Sequence, residues 1–423
     1  MTPDRTDALR RRTVATLVAG VALGSTGHIA AVTVATIAAK ELSDTAALAG
    51  LPGATVVLGA AVGATSLAWI MARRGRRSGL TSGYVIGVLG AFLAAAAIID
   101  RSLPLLLLGT FFIGFGNASN QQSRYAAADL FPPARRASAI GIVVWGATVG
   151  AVVGPNLVEV SGELAESAGL PTLAGPYLVP VVFVGLAAVL LFAFLRPDPY
   201  ELADASSIAH DGLPSAAPLL EIVRRPAVAA AVVALVAGQF VMVLIMTMTP
   251  LHMTEHGHGL GSVGLVISAH TFGMFALSPL SGRLTDRYGC PRVIFAGTAI
   301  LAISALLSAV APPDDERLLL VALFLLGWGW NLGFVAGSAM LSGGVSLTER
   351  TRIQGLSDAF IWSTAAVASL GSGVLVAAAG YASLGILGTA VVAVPAWVLL
   401  RRRGRLGPVP AAEPEPVSPG PLE

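Results

Sequence analysis

Four polar side chains lie on one face of a long apolar segment. At positions i, i+3, i+4 and i+7 of that segment stand Asn117, Asn120, Gln121 and Arg124. This spacing brings them to one face of an α-helix. Because amide and guanidinium groups are costly in hydrocarbon, such a face is expected to border a water-filled cavity. A single amide could instead make an interhelical hydrogen bond worth about 1 kcal/mol or less, but for the group we predict a cavity.

Two further apolar segments carry groups that we assign to the same cavity. Gln239 lies within one of them, and Asn331 lies within the other. Trp328 and Trp330 stand beside Asn331 and offer aromatic surface.

Three titratable side chains also lie inside apolar segments. His28 and His270 are near the middle of theirs, and Asp358 is about one turn into its own. Imidazole titrates near neutral pH, so each histidine is a candidate carrier of a proton; the alternative is a neutral histidine that hydrogen-bonds between helices. Asp358 could carry a proton or pair with an arginine at the membrane surface, and its shallow depth favours the second role.

Several kinds of site lack support in the sequence. His252, His256 and His258 could bind a transition metal, but a loop lacks fixed geometry and we predict no metal site. Cys290 is the single cysteine, which excludes an intramolecular disulfide. The sequence has no Gly-x-x-x-x-Gly-Lys-[Ser/Thr] phosphate loop, no His-Glu-x-x-His helix and no basic patch. We therefore expect no cofactor, no enzymatic activity and no nucleic-acid partner.

The composition identifies the elements that must position these groups. Of the 423 residues 55% are apolar and 12% are charged, whereas soluble proteins are about 25% charged. A helix needs about 20 apolar residues to cross a bilayer. Twelve such stretches predict an all-α, polytopic membrane protein with twelve transmembrane helices. They lie near 14–38, 47–71, 79–99, 104–126, 138–160, 176–195, 227–250, 260–282, 291–311, 318–342, 354–379 and 383–400.

The arginines predict the orientation in the membrane. If both termini are cytoplasmic, 22 of the 26 basic residues lie on the cytoplasmic side. Lys40, Arg101 and Arg317 lie on the opposite side, and Arg124 is within a span. This asymmetry obeys the positive-inside rule. The first span is too long for a signal-peptide core of about 7–15 residues. We expect a multi-pass protein of the cell membrane with both termini cytoplasmic.

A polar segment divides the chain into two groups of six spans. We predict a six-helix bundle over 1–195, a central cytoplasmic loop over 196–226, a second bundle over 227–400 and a disordered cytoplasmic tail over 401–423.

An internal repeat relates the two groups. A shift of 214 residues places Gly75 on Gly289 and Gly141 on Gly355, and it also places Asn117 on Asn331. We therefore predict two pseudo-symmetric bundles. Such repeats are typical of transporters with a binding site at the bilayer midplane.

The loop between the eighth and ninth spans carries a signature. From Gly282 to Gly289 its sequence is Gly-Arg-Leu-Thr-Asp-Arg-Tyr-Gly, which resembles the Gly-x-Leu-x-Asp-Arg-x-Gly loop of the major facilitator superfamily. The resemblance implies a secondary transporter that works by alternating access. It also implies that Asp286 caps the start of the fifth span near 137–139, and that Arg287 pairs with acids or lipid phosphates, so that both gate the cytoplasmic side. The alternative is a positively charged anchor with no gating role.

The first half departs from this signature. Ala72 stands where the family has aspartate, so gating is expected to depend on Asp286. A pair between Arg76 and Asp129, similar to one in the family, is also expected.

A row of small residues on the fifth span bears on the direction of transport. Its spacing is similar to the antiporter motif of drug and metabolite exporters, although Val158 and Glu159 replace the last two glycines of that motif. The row consists of Gly146, Gly150, Gly154 and Pro155. Generic helix packing explains the spacing almost equally well.

Taken with the resemblance, these features favour a proton-coupled exporter of small organic molecules that acts as a monomer. Its partners would be the substrate, protons and the lipid bilayer. The alternative is a proton-coupled uptake symporter for an anionic nutrient with Arg124 as the counter-charge. A membrane-embedded enzyme or sensor is a remote alternative.

Overall fold

The computed structural model describes residues 3–43, 48, 50–203, 219–258, 260–343 and 347–401. Residues 204–218 of the predicted central loop and residues 402–423 of the predicted tail lie outside this part. The described part consists of helices joined by short turns, without a β-strand.

We label the spans α1 to α12. In chain order they are Pro3–Ser43, Leu51–Arg74, Arg76–Ile99, Leu103–Ala128, the fifth in two segments Arg136–Trp145 and Ala147–Ser167, Ala174–Phe194, Pro226–Glu255, the eighth in two segments Leu260–Thr271 and Ser278–Tyr288, Cys290–Val310, Glu316–Leu341, Leu347–Ala379 and Ala382–Arg401. A short helix, Leu219–Arg224, precedes α7.

Eleven of these helices are individually long and apolar enough to cross a membrane. The twelfth span is α8, whose two segments are bent by 43° around a π-helical turn, Phe272–Ala276. Counting that bent pair as one span gives twelve, which confirms the predicted all-α architecture. Several helices extend beyond the apolar stretches because their charged ends need not lie in hydrocarbon.

The packing of the helices repeats between the two halves. In the first half α1 packs on α4, α5 and α6, α2 packs on α4, and α3 packs on α4 and α6. Adding six to each helix number gives the pairs that pack in the second half. Between the halves, α2 packs on α11 and α5 packs on α8. The two contacts are equivalent, because α8 corresponds to α2 and α11 corresponds to α5.

Individual residues obey the same pseudo-twofold symmetry. Gly75 and Gly289 have φ angles of +86° and +85°, and both end a helix in a backbone conformation that favours glycine. Arg124 hydrogen-bonds the residue 214 positions later, Ser338, through its Nε at 3.1 Å. A residue that contacts its equivalent in the other half lies at the pseudo-twofold axis. Arg124 therefore lies at the axis between the two halves, near the end of α4 at which Ala128 stands.

The halves meet closely on one side of the bundle, which we call the Arg-rich side: the side at which α1 begins and α12 ends. A Cβ on Gly141 would overlap the carbonyl of Ser278, and a Cβ on Gly355 would lie 2.8 Å from the carbonyl oxygen of Ala64. Ala64 and Ser278 are also 214 residues apart. The α5–α8 and α2–α11 contacts are thus two copies of one interface, both close-packed at this side.

Candidate functional site

A cavity of about 250 Å³ lies between the two halves. Seven helices line it: α1, α4, α5, α7, α8, α10 and α11. All four members of the polar stripe on α4 are in its lining, namely Asn117, Asn120, Gln121 and Arg124. The face that the sequence singles out therefore borders an internal cavity.

An ion pair between the halves forms the floor of the cavity. Arg124 Nη2 on α4 lies 2.6 Å from Asp358 Oδ1 on α11, and both side chains are buried. The Tyr125 hydroxyl also donates to Asp358 Oδ1, at 3.2 Å. Oδ2 of Asp358 has no partner in the described part of the chain. From the sequence we expect Asp358 either to carry a proton or to pair with an arginine, and its position is compatible with both roles.

The guanidinium of Arg124 makes ring contacts and hydrogen bonds in addition to its ion pair. Its carbon lies 4.2 Å from the ring centre of Tyr125 and 4.3 Å from that of Phe334. Its nitrogens donate to Ser338 Oγ, to the Tyr125 hydroxyl and to the Gln121 carbonyl. A buried arginine needs such contacts, because an unpaired charge in a low-dielectric interior is costly.

The amides of α4 differ in their contacts. Asn120 accepts from the Tyr84 hydroxyl at 2.9 Å and donates to Ser25 Oγ at 2.9 Å. Asn117 is 4% exposed and lines the cavity, but its Nδ2 has no partner among the residues described. Asn120 therefore joins α4 to its neighbours, whereas Asn117 offers a donor to a molecule in the cavity.

The second half supplies an aromatic wall. Gln239 Oε1 on α7 accepts from Trp330 Nε1 at 2.9 Å. The rings of Trp330 and Phe334, one helical turn apart on α10, stack with centres 4.5 Å apart. Phe275, in the π-helical turn of α8, contacts Trp330 edge-on at 6.3 Å. Gln239, Trp330, Phe334 and Phe275 all line the cavity.

Trp328 and Asn331 do not line this cavity, contrary to the sequence prediction. Residues two apart on a helix point about 200° apart, so with Trp330 facing the cavity Trp328 faces away and contacts Phe324. Asn331 donates to the carbonyl of Met274 at 2.6 Å and to Ser278 Oγ at 2.7 Å. Asn331 thus satisfies the backbone where α8 is broken, a need that a one-dimensional pattern does not reveal.

The two intramembrane histidines have different surroundings. His28 is half-buried and lines the cavity, and its Nδ1 has no partner within the described residues. His270 is 1% exposed, lies outside the lining, and its Nδ1 is 3.0 Å from the Leu323 carbonyl oxygen. Of the two, only His28 lies where it can exchange a proton with a molecule in the cavity.

The signature loop closes the Arg-rich side. Asp286 accepts from the backbone amides of Ala137 at 3.1 Å and Ser138 at 2.9 Å. It thereby caps the N-terminus of α5 from the other half, as the resemblance implies. Gly282 allows this approach, since a Cβ there would lie 2.5 Å from the Ala137 carbonyl oxygen. Arg287 is exposed, with its guanidinium over Tyr288.

A second polar cluster closes the same side, where the start of α3 and the end of α4 meet α11. Asp129 pairs with Arg76 at 2.8 Å and with Arg350 of the other half at 3.0 Å. Arg76 also donates to Gln354 Oε1 at 2.7 Å. Arg350 thus joins the halves at this interface, where Ala72 offers no capping carboxylate. Sequence reasoning missed Arg350 and Gln354, because the start of α11 carries no motif.

The segment after α6 joins this cluster. Asp198 accepts from the backbone amides of Arg76 and Arg77 at 3.1 and 2.9 Å. The Tyr200 hydroxyl hydrogen-bonds Thr351 of α11. Burial raises the pKa of Tyr200, so its hydroxyl stays protonated. The segment, predicted only as a loop, thus contacts both halves.

Comparison with known proteins identifies the family. The model of the Major Facilitator Superfamily matches residues 14–263 and 243–422 of this chain. The chain belongs to the major facilitator superfamily. Its fold, its repeat and its signature loop agree with that assignment.

Curated relatives of this superfamily member span nearly its whole length. The uncharacterised MFS-type transporter YdeG of Bacillus subtilis (strain 168) is 38% identical over 408 residues, covering 95% of this chain and 94% of that protein. The riboflavin transporter RfnT of Brucella anthropi is 32% identical over 397 residues, covering 93% and 97%. This member of the superfamily is therefore a multi-pass membrane transporter of small molecules.

Solved structures of the superfamily share the fold. The proton:xylose symporter XylE, bound to 6-bromo-6-deoxy-D-glucose, superposes with a TM-score of 0.75 at 15% identity, over 95% of this chain and 97% of that one. The human organic anion transporter MFSD10 superposes with a TM-score of 0.72 at 15% identity, over 94% and 100%. At such low identity these likenesses concern the architecture alone.

The glycine row on α5 packs against α1. A Cβ on Gly150 would overlap Ser25, and one on Gly154 would lie 3.0 Å from the Thr26 carbonyl oxygen. Gly146 is similarly close to the Val18 carbonyl oxygen, at 2.8 Å. The row thus allows two cavity-lining helices to approach closely, and Pro155 lies within the helix at the end of the row.

Proposed function

We propose that this protein is a proton-coupled secondary transporter that exports small organic molecules by alternating access, with both termini in the cytoplasm. The observation that carries the proposal is the buried Arg124–Asp358 pair, which joins the halves at the floor of the cavity. In our proposal Asp358 is the coupling group.

The chemistry of the pair explains how a proton could drive the cycle. Protonation of Asp358 removes its negative charge and weakens its attraction to Arg124. Because the pair connects α4 to α11, its loss lowers the cost of separating the two halves at the Arg-rich side. Asp358 lines the cavity, and its buried Oδ2, which has no partner among the described residues, could accept the proton.

The positions of the contacts support alternating access. The cavity extends from Arg124 and Asp358 away from the Arg-rich side, along α11 to Trp362 and along α4 to Asn117. The contacts of Asp286 and Asp129 close the Arg-rich side. By the positive-inside rule we assign that side to the cytoplasm, so this conformation would receive protons from outside.

Two observations bear on direction. The glycine row on α5, with its similarity to the antiporter motif, supports export. The relationship to the riboflavin transporter RfnT supports a second candidate, the transport of a riboflavin-like compound, and uptake of such a compound together with protons would be symport. The uptake of an anionic nutrient has less support, because Asp358 already neutralises the charge of Arg124.

Proteoliposomes test coupling and direction together. We expect a labelled compound from a panel that includes riboflavin to accumulate when the vesicle lumen is acidic, because antiport exchanges it for leaving protons. Accumulation driven by an acidic exterior would instead establish symport. Transport that is indifferent to both gradients would refute proton coupling.

Variants locate the coupling group. Asp358→Asn should lose gradient-driven accumulation but retain exchange of labelled for unlabelled substrate, since the carboxamide cannot release a proton. The double variant Arg124→Gln/Asp358→Asn avoids an unpaired buried charge and should behave in the same way. Asp314→Asn, in an exposed loop, is the matched control. Normal accumulation by a folded double variant would exclude Asp358 as the coupling group.

A further inference from the structure

The two walls of the cavity differ in chemistry. The first half contributes hydroxyl, imidazole and amide groups, and its wall contains Ser25, His28, Asn117, Asn120 and Gln121. The second half contributes mainly rings and thioethers, including Phe275, Trp362 and Met246. A molecule that fills this space meets hydrogen-bonding groups on one side and aromatic surface on the other.

The cavity holds little uncompensated charge. Arg124 and Asp358, the charged residues in its lining, are 2.6 Å apart and neutralise each other. A charged ligand would be desolvated without gaining a free counter-ion, which is costly. The cavity therefore favours an uncharged ligand.

The aromatic side chains differ in their available surface. Trp330 and Phe334 are each 6% exposed and stack on each other. Phe275 and Trp362 are only half-buried and also line the cavity, so their ring faces remain available. Stacking on such a ring stabilises a flat aromatic ligand beyond the effect of the area that it buries.

The polar wall contains a buried donor without a partner among the described residues. Asn117 Nδ2 is buried, lines the cavity and has no partner within the described residues. A buried polar group without a partner is destabilising, and a carbonyl or ring nitrogen on a ligand would supply the missing acceptor.

We propose that the cavity binds an uncharged, planar heteroaromatic molecule that stacks on Trp362 and accepts a hydrogen bond from Asn117. This inference rests on the proposed function, because it takes the cavity as the transport site. The volume of about 250 Å³ is slightly below the range of about 300–1,000 Å³ for pockets of drug-sized ligands and suits a small ring system.

Equilibrium binding to the purified full-length protein tests the substrate class independently of transport. The probes are lumichrome and riboflavin as neutral tricyclic rings, riboflavin 5′-phosphate as an anionic counterpart, and tetraphenylphosphonium as an aromatic cation. Quenching of flavin fluorescence reports the flavins, and competition reports the cation. We expect at least one neutral ring to bind, and the added phosphate to weaken its binding about tenfold or more.

Matched variants test the two contacts. Trp362→Ala should weaken binding of the neutral ring about tenfold, whereas Trp362→Phe retains most of it. Trp328→Ala, a half-buried tryptophan outside the lining, is the control. Asn117→Ala should weaken binding about fivefold, and Asn156→Ala, on an exposed face of α5, should have no effect.

The outcomes separate this inference from the proposed function. Tighter binding of the phosphate or the cation than of both neutral rings would overturn the substrate class. So would neutral-ring binding that is unchanged in both Trp362→Ala and Asn117→Ala. Transport of other compounds without any binding of neutral rings would overturn the substrate class and leave the carrier function intact. Ring binding without transport of any compound would retain the site and refute the function.

Discussion

The carboxylate of Asp129 links the two halves of the molecule at the Arg-rich side. It is 0% exposed and pairs with Arg76 and Arg350, which belong to different halves. Removing one partner of a buried ion pair typically costs about 3–5 kcal/mol, because the remaining charge stays desolvated. Asp129 therefore holds two arginines that could not remain buried without it.

We predict that Asp129→Asn lowers the free energy of unfolding by about 3–5 kcal/mol. Thermal unfolding of the purified protein measures the change as a lower midpoint. Asp100→Asn, at an exposed turn on the opposite side, is the control and should leave the midpoint unchanged. Equal thermal unfolding midpoints for the two variants would show that Asp129 does not compensate the charges of the two buried arginines.

Substitution of the two intramembrane histidines should have different effects on transport. His270→Gln should keep gradient-driven accumulation in vesicles, because His270 lies outside the cavity lining and contacts the Leu323 carbonyl. His28→Gln should reduce transport, because His28 borders the cavity. Loss of coupling in a folded His270→Gln protein would assign the proton to α8 instead of Asp358.

Sequence alone located the polar stripe on α4, because helical spacing defines a face without knowledge of the neighbouring helices. It could not choose between Trp328 and Trp330, since the rotation of α10 depends on packing against α7 and α8. It also could not assign Asn331 to the break in α8, because the π-helical turn Phe272–Ala276 has no sequence signature.

At the scale of elements, the contact between α5 and α8 depends on a helix cap supplied across the two halves. Asp286 satisfies two free amides at the start of α5, and the loop signature allowed this contact to be anticipated. The α2–α11 contact is the symmetric copy without the aspartate, since Ala72 stands in its place. The side-chain contacts that Arg350 and Tyr200 make there join segments far apart in sequence and could be found only in the structure.

We predict that Asp286→Ala favours opening of the Arg-rich side. Loss of a cap costs about 1 kcal/mol, which corresponds to about a fivefold shift between closed and open states. Cys290, the single cysteine, lies at the start of α9 beside this contact, so its rate of alkylation should rise. Asp315→Ala removes a similar cap, made to the Leu318 amide on the opposite side, and should not change that rate. A rise in both variants would indicate general loosening and not release of this gate.

In the molecule as a whole, two copies of one interface, the α5–α8 and α2–α11 contacts, together close the Arg-rich side. The repeat of 214 residues predicted two related bundles, and the paired contacts Gly141–Ser278 and Gly355–Ala64 show how that symmetry is used. Which side is closed could not be predicted, because in the alternating access that we propose the same sequence must form both closed and open arrangements. That choice depends on small differences among many contacts between the halves.

A reversible cross-link between α2 and α11 tests whether the closure must open. Gly355 packs directly on Ala68, so cysteines at these positions would need only a small separation to reach the Cβ–Cβ distance of a disulfide, about 3.5–4.5 Å. In a Cys290→Ser background, we expect oxidation of Ala68→Cys/Gly355→Cys to stop transport and reduction to restore it, because the covalent bond keeps the Arg-rich side closed. The oxidant should not change the transport of either single cysteine variant from its own level under reducing conditions, which is the reference because a side chain at 355 crowds α2. Undiminished transport by fully cross-linked protein would mean that α2 and α11 stay together throughout the cycle, and substrate would then have to leave by a route that does not separate the halves.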